Sequence, residues 1–562
     1  MKDKNKKRIW IVWAICGLAV PFLNLNAQDE LLDIMANELD REFAVLAKAD
    51  PPAYYIDYRV NDLQGYEISS SFGSLMSSGS VHRRIGHVRV KVGDYKRDNT
   101  HEVDMYGGFG RVRSTLIPLD NDKDAVSYAL WKATDAGYEG AVNSYERVLE
   151  KPDSSEVPDF SNEQVTLFSE QVLDVTGMMK VATWEKRIKE LTAPFAEHDD
   201  ITSAYASLYF SVDRKYFTST EGSRLVQNAP GAYLIITADI RAADGDNIPI
   251  FKTYFAFSPQ NLPSQEEMLK DVEGLIRTLK ALKEAPLAEP YSGPAILAPE
   301  VAGVFFHEIF GHRIEGHRLR SQTDGQTFKE KVNQQVLDGS LSVISDPGLQ
   351  TMGNRDLIGT YKYDDEGVKG QRVKVVDSGT LKSFLMSRSP LDDFKKSNGH
   401  GRAQAGLGPV SRQSNLIIET SKPVSEEELR VALREECKAQ GKEYGYYFAE
   451  VTGGFTFTDR FTPNSFNITP TIVYRVFADG RPDELVRGVD LIGTPLAMFA
   501  EIAAAGDEPG TFTGICGAES GGVPVSATSP GLYVRRIETQ KKMKKESGEK
   551  PLLNRPKAGK EN

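Results

Sequence analysis

The run VAGVFFHEIFGHRIEGHR, residues 301–318, sets imidazoles and carboxylates inside an otherwise apolar segment. His307, Glu308 and His312 are costly to bury unless something pairs or ligates them. Either a metal ion or a closed polar network must satisfy them. Two histidines that share one zinc on a regular helix stand four residues apart, which leaves their rings about 40° apart around the axis. Here they stand five apart, which turns the rings about 140° from each other. A π-bulge, or a helix that ends at Gly311, would bring them to one side. The spacing therefore predicts a local irregularity. Cys516 lies in GTFTGICGAESGGVPVSATSPG, glycine-rich and without helical period, a better setting for a thiolate aimed at a ligand than that of Cys437. A disulfide between the two is the competing reading.

The elements that must position these groups follow from the surrounding pattern. Pro299 suits a first helical position and Glu300 complements the positive end of the helix dipole. Val301, Val304, Phe305, Phe306, Ile309 and Phe310 cover nearly the whole circumference, so this helix is buried on most sides. Ser264 with Glu267, and Ser425 with Glu428, read as capping boxes that open two amphipathic helices; Cys437 falls on the second. Leu32, Met35, Leu39, Phe43 and Leu46 predict an opening helix, and DAVSYALWKATDAGYEGAVNSYERVL another. GHVRVKVGDY alternates as a half-wet strand. Two strand pairs are expected at SAYASLYFSVDRKYFTSTEGSRL and GAYLIITADIRAADGDNIPIFKTYFAFS, each with a polar or Asp-Gly turn in its middle. Asp364, Asp365 and Glu366, followed by Gly367, read as a turn with a solvated face. His317, after Gly316, reads as exposed.

The chain has 562 residues and a formal net charge of −11. MKDKNKKR, then IWIVWAICGLAVPFL, then NLNAQDE has the order of a secretory leader cleaved after Ala27; its apolar stretch is shorter than the roughly 20 residues that span a bilayer. Removing five positive residues and one negative leaves −15, which disfavours a nucleic-acid partner. The reading is a secreted protein, periplasmic in a two-membrane bacterium, with no stable membrane span after processing. Two remaining cysteines do not make a disulfide scaffold. Four prolines in residues 285–300 mark a domain boundary near residue 286. The expected fold class is α+β in two domains: an N-terminal mixed α/β domain over 28–285 and a C-terminal β-rich domain over 286–537. The leader, 1–27, precedes them and a basic solvated tail, 538–562, follows.

The core HEIFGHRIEG resembles the HExxxH motif of the TldD/PmbA peptidases. The segments YKYDDEGVKGQRVKVVDSGTLKSFLMS, SNGHGRAQAGLGPVSRQSNLIIE, EVTGGF and GICGAESGGVPVSATSPG are similar, in order and character, to that family's C-terminal domain. Together they span residues 295 to 535; the N-terminal half is similar in pattern more than in motif. The resemblance implies one zinc per chain held by His307, His312 and Cys516, with Glu308 as the catalytic base. It also implies an acid at Glu315, suited to holding a ligand imidazole in its tautomer. A non-catalytic sister branch, TldE or PmbA, lacks the metal-site residues and pairs with the catalytic one. This chain keeps all four, so it resembles the catalytic TldD-like branch.

Two neutral imidazoles and a thiolate leave the fourth zinc position open for water, whose proton a nearby carboxylate can take. The expected function is hydrolysis of short or unfolded peptides held in extended form by main-chain hydrogen bonds. Arg402 and Arg412 are candidates to meet a substrate carboxylate. The expected partner is a second copy or a TldE/PmbA-like chain. The alternatives are an inactive zinc-containing partner subunit and an exported binding protein whose zinc only holds the C-terminal domain together.

Overall fold

The computed structural model describes residues 29–101, 114–150, 156–321, 323–461 and 466–542. The leader and most of the basic tail lie outside the described residues.

The N-terminal half is built on an antiparallel sheet whose long strands are β1 (Ala53–Ser71), β2 (Ser74–Val92), β3 (Ile201–Ser219), β4 (Arg224–Arg241) and β5 (Asn247–Ala256), in the order β2-β1-β3-β4-β5. Short strands at Thr115–Ile117 and Leu167–Ser169 complete it. Alternation sorts its two faces. Even-numbered residues face helices: Ile56, Tyr58 and Tyr216 pack with α1 (Glu30–Leu46) and α2 (Lys123–Leu149). Further along the same face, Leu208, Ile236 and Ile250 pack with α3 (Val181–Thr192) and α4 (Gln265–Glu284). Odd-numbered residues face the C-terminal half. The capping box at Ser264 and Glu267 is formed.

The turn of the second strand pair falls at Asp244–Gly245. The first pair differs from the expectation of a turn in its middle, because β3 runs straight through Asp213, Arg214 and Lys215 and turns only near Gly222, at φ 100°. Those polar residues have partners inside the protein: Asn61 donates to Asp213, Lys215 to Asp365, and Arg214 to Asp29.

The C-terminal half is β-rich, as the mixed α/β class with a strand-dominated second part requires. β6 (Tyr291–Leu297) leads into α5 (Pro299–Ile309). Then come β7 (Asn415–Thr420), α6 (Glu426–Ala439), β8 (Tyr444–Thr456), β9 (Phe466–Phe477), β10 (Val489–Gly493), β11 (Ile502–Ala518) and β12 (Gly521–Lys541). Pairings β12–β10, β10–β9, β9–β8, β8–β6 and β6–β12 return on themselves, and β11 and β7 extend the sheet from β12. Val301, Val304, Phe305, Phe306 and Ile309 of α5, with Phe310 just after it, share one core with Ala295, Phe448, Ile468 and Leu532 of that ring. This explains a helix apolar all round. β12 ends at Lys541, so residues 538–541, read from sequence as the start of a solvated tail, are strand paired to β6 and β10.

Candidate metal centre and cleft

α5 ends at Ile309, and a 3-10 turn, Gly311–Ile314, follows it. The break is where the five-residue spacing requires one. Gln413 fills the space beside it: its Nε2 donates to the His307 carbonyl at 3.3 Å, and a Cβ on residue 311 would lie 1.9 Å from its Oε1. The buried guanidinium of Arg313 closes the helix end, donating to the carbonyls of Glu308 and Ile309, groups left without helical partners at a C-terminus. It also donates to Thr456 Oγ1 and the Phe457 carbonyl, tying the break to β8 and the residue after it.

As a result His307 and His312 come together, with ring centroids 4.9 Å apart. Cys516, on β11, reaches them from more than 200 positions away in sequence. Its Sγ lies 3.2 Å from His307 Nε2 and 3.4 Å from His312 Nε2, and the three potential donor atoms lie within 4.8 Å of one another. Two bonds of about 2.1 and 2.3 Å in a tetrahedron put nitrogen and sulfur about 3.5 Å apart. The donor set and its spacing therefore fit a zinc ion. Cys437 is a free buried thiol in another cluster, with Ile296, Leu433 and Tyr533, and Cys516 is free too.

The electrostatics join these groups. Burial opposes charge on Cys516, yet the imidazoles of His312 and His307 hold its thiol well below the usual value. Burial likewise opposes charge on His312, but Cys516 and Glu315 lift it well above its usual value. Glu315 is fully buried; against the cost of burial, His312 and Arg318 hold its carboxyl down at about 2. Its Oε2 lies 3.1 Å from His312 Nδ1 and accepts from Arg318 at 2.8 Å. Burial raises the Glu308 carboxyl and the two imidazoles pull it back. Glu308 Oε2 stands 3.9 Å from His312 Nε2.

His307, Glu308, His312, Cys516 and Arg318 line a cleft of about 520 Å³, with Glu315 buried behind it. Its walls are the far part of β8, the segment Phe512–Glu519 of and beyond β11, and Tyr233, Phe251 and Thr253 on the odd-numbered face of the N-terminal sheet. Along one side β8 is paired to β6 only through Tyr446–Phe448. β11 beyond Pro509 is paired to β12 alone among the described residues.

Other residues singled out in the sequence lie elsewhere. Arg412 is fully buried, donating to Ser520 and to the carbonyls of Gly521 and Cys516. Arg402 is buried over the Tyr361 ring and bonded to the Gln413 carbonyl. Neither lines the cleft. His317 is not exposed; it bonds Glu519, which also accepts from Arg318. Sequence reasoning missed Glu519, whose partners lie far back in the chain. The acids Asp364, Asp365 and Glu366 are buried rather than solvated, because the N-terminal sheet brings them cations: Lys215 bonds Asp365 at 3.0 Å and Arg89 bonds Glu366 at 2.6 Å.

Residues 290–541 match the family model described as the PmbA/TldA metallopeptidase C-terminal domain. A metalloprotease of Archaeoglobus fulgidus is 32% identical over 271 residues, covering 48% of this chain and 57% of that protein; the chain thus spans little more than half of that relative's length. A Saccharolobus solfataricus protein, named a zinc metalloprotease TldD homolog, is 25% identical over 61% of this chain and 72% of its own length. In fold, the crystal structure of TldE from Thermococcus kodakarensis superposes with a TM-score of 0.58 at 13% identity, covering 91% of this chain and 100% of that one. For residues 290–541 these comparisons support membership of the PmbA/TldD family.

Proposed function

We propose that this chain is a TldD-like zinc-dependent peptidase that hydrolyses short or unfolded peptides. The observation that carries this reading is the convergence of His307, His312 and Cys516 on one point in a cleft, with Glu308 beside them. Such a donor set leaves a tetrahedral ion one open position. Zinc held there supplies Lewis acidity, polarising a carbonyl and acidifying water to a pKa of about 7.

The chain's own residues then have distinct tasks. Glu315 holds His312 with the proton on Nδ1, which leaves Nε2 free as a donor to the ion. Glu308 Oε2, in a setting that raises its affinity for protons, takes one from the attacking water and returns it to the departing amine. The one-sided strands β8 and β11 offer main-chain groups to an extended peptide, an arrangement that tolerates many side chains.

The leader-like residues 1–27 support export, to the periplasm in a two-membrane bacterium. Assembly as a homodimer or with a TldE/PmbA-like chain belongs to the same proposal, and a monomer by light scattering at physiological concentration contradicts it. The central test is Glu308→Gln: zinc content and melting curve are retained and peptide hydrolysis is lost. Hydrolysis unchanged in that variant overturns the catalytic reading in favour of a structural or partner-subunit zinc.

A further inference from the structure

The cleft has aromatic side chains that the proposed chemistry leaves without a task. Beyond Phe448, β8 is hydrogen-bonded to β9 alone among the described residues. Thr456 turns its hydroxyl to Arg313, and alternation along the extended chain sends Phe455 and Phe457 to the other side. Their rings meet edge to face, centroids 5.6 Å apart. Both line the cleft and both are exposed, by 51% and 44%. In contrast, the phenylalanines of α5 are wholly buried.

Position gives the exposed pair its meaning. Gly454, one residue before Phe455, packs on the proposed base so closely that a Cβ there would lie 2.9 Å from Glu308 Cγ. Tyr233 and Phe251 line the same cleft from the N-terminal sheet. The charged groups of the lining do not favour an acidic guest: Glu308, Asp459 and Glu519 are acids, and Arg318 is already bonded to Glu315 and Glu519. A peptide strand along this edge therefore meets aromatic surface next to the hydrolytic centre, and its main chain and side chains are read by different features.

Resting on the peptidase reading, we infer that Phe455 and Phe457 are specificity-determining residues that receive a large apolar side chain, aromatic or branched aliphatic, next to the bond that is cut. Burial of two rings against such a side chain is a hydrophobic gain that serine or glutamate at the same position does not provide.

The test uses the full chain loaded with zinc and a set of unstructured peptides identical except for one Phe, Ser or Glu, with the cut bond located by product mass. The expected result is cleavage beside Phe, with kcat/KM at least about tenfold above the Glu peptide. In Phe455→Ser/Phe457→Ser that ratio collapses toward unity, mainly through KM. Binding without turnover gives a second readout. In zinc-loaded Glu308→Gln the Phe peptide binds more tightly than the Glu peptide by calorimetry, and adding the two serine substitutions removes the difference while zinc content stays the same. Equal treatment of the peptides by the parent chain, or a preference that survives in the double variant, overturns the inference. If no peptide is cut, the hydrolytic reading fails, and the binding comparison still decides the inference.

Discussion

Gly311 and Gln413 are in such close contact that a side chain at position 311 requires one of them to move: a Cβ there would stand 1.9 Å from Gln413 Oε1 and 2.2 Å from Cδ. This contact sits at the end of α5, between the two histidines. Gly311→Ala must push Gln413 out or shift the turn, and the shift carries His312 with it. Overpacking of this kind costs about 1–3 kcal/mol. The expected outcome is a lower melting temperature and zinc affinity reduced at least tenfold in chelator competition. Gln413→Ala in the same chain restores most of the affinity, because it vacates the space.

Glu315 is the second determinant of His312. It is fully buried, bonded to His312 Nδ1 and to Arg318, with Arg412 Nε 3.6 Å away. Glu315→Gln keeps the shape but weakens the hold on the imidazole and leaves two buried guanidinium groups short of a counter-charge. Loss of such an outer partner lowers metal affinity about 10–100-fold. Breaking a buried ion pair costs about 3–5 kcal/mol. Zinc competition measures the first effect and urea unfolding of the zinc-free protein the second. An unchanged zinc affinity contradicts the role given to Glu315.

How much of this was legible in the sequence depends on how far each cause lies along the chain. The Ser264–Glu267 capping box is a contact across three residues, and its helix begins where local chemistry predicts. The break after Ile309 was legible because the spacing of His307 and His312 is itself geometric information. The segment Asp213–Lys215 reads as a polar turn, and the acids Asp364–Glu366 read as a turn with a solvated face, because both are polar. Their partners are distant in sequence instead: Lys215 reaches Asp365 across 150 residues, Arg89 reaches Glu366, and Arg214 reaches Asp29. Arg402 and Arg412 read as candidates for a substrate carboxylate for the same reason, since the carbonyls that bind them are invisible in a local window.

The same buried pairing sets a pH dependence. Against the cost of burial, Lys215 and Arg59 hold the Asp365 carboxyl at about 2, below the roughly 3.9 of an unfolded aspartate. A depressed carboxyl contributes stability that is fully present above its unfolded pKa and lost as pH falls through its folded one. The window is thus about pH 4 down to about 2, and linkage gives roughly 2–3 kcal/mol. Asp364 has the opposite sign: its carboxyl is raised well above the usual value by burial and by Glu366, so its contribution grows as pH falls. Asp365→Asn is expected to be less stable than the parent at pH 7, with the gap narrowing from pH 4 to pH 2 in urea unfolding. A gap that is constant or widens over that range contradicts the assignment.

Cys516 separates ligation from mere proximity. Its thiol is held well below the usual value because two imidazoles outweigh the burial that opposes its charge. A thiolate bound to cobalt(II) gives an intense charge-transfer absorption that nitrogen and oxygen donors do not. Cobalt-loaded parent protein is therefore expected to show that band. Cys516→Ser is expected to lose it and to bind zinc more weakly, while Cys437→Ser, in the helix cluster with Leu433 and Tyr533, keeps both. The serine hydroxyl is nearly isosteric but stays protonated at neutral pH, so the net charge of the donor set rises by one unit and a divalent cation is held less well. A band that persists in Cys516→Ser means that sulfur is not the third donor, and the histidines must then find it elsewhere in the cleft, where Glu308 is the nearest carboxylate to His312 Nε2. In that case Glu308 becomes a ligand and is no longer free to move the proton, and the hydrolytic assignment fails with it.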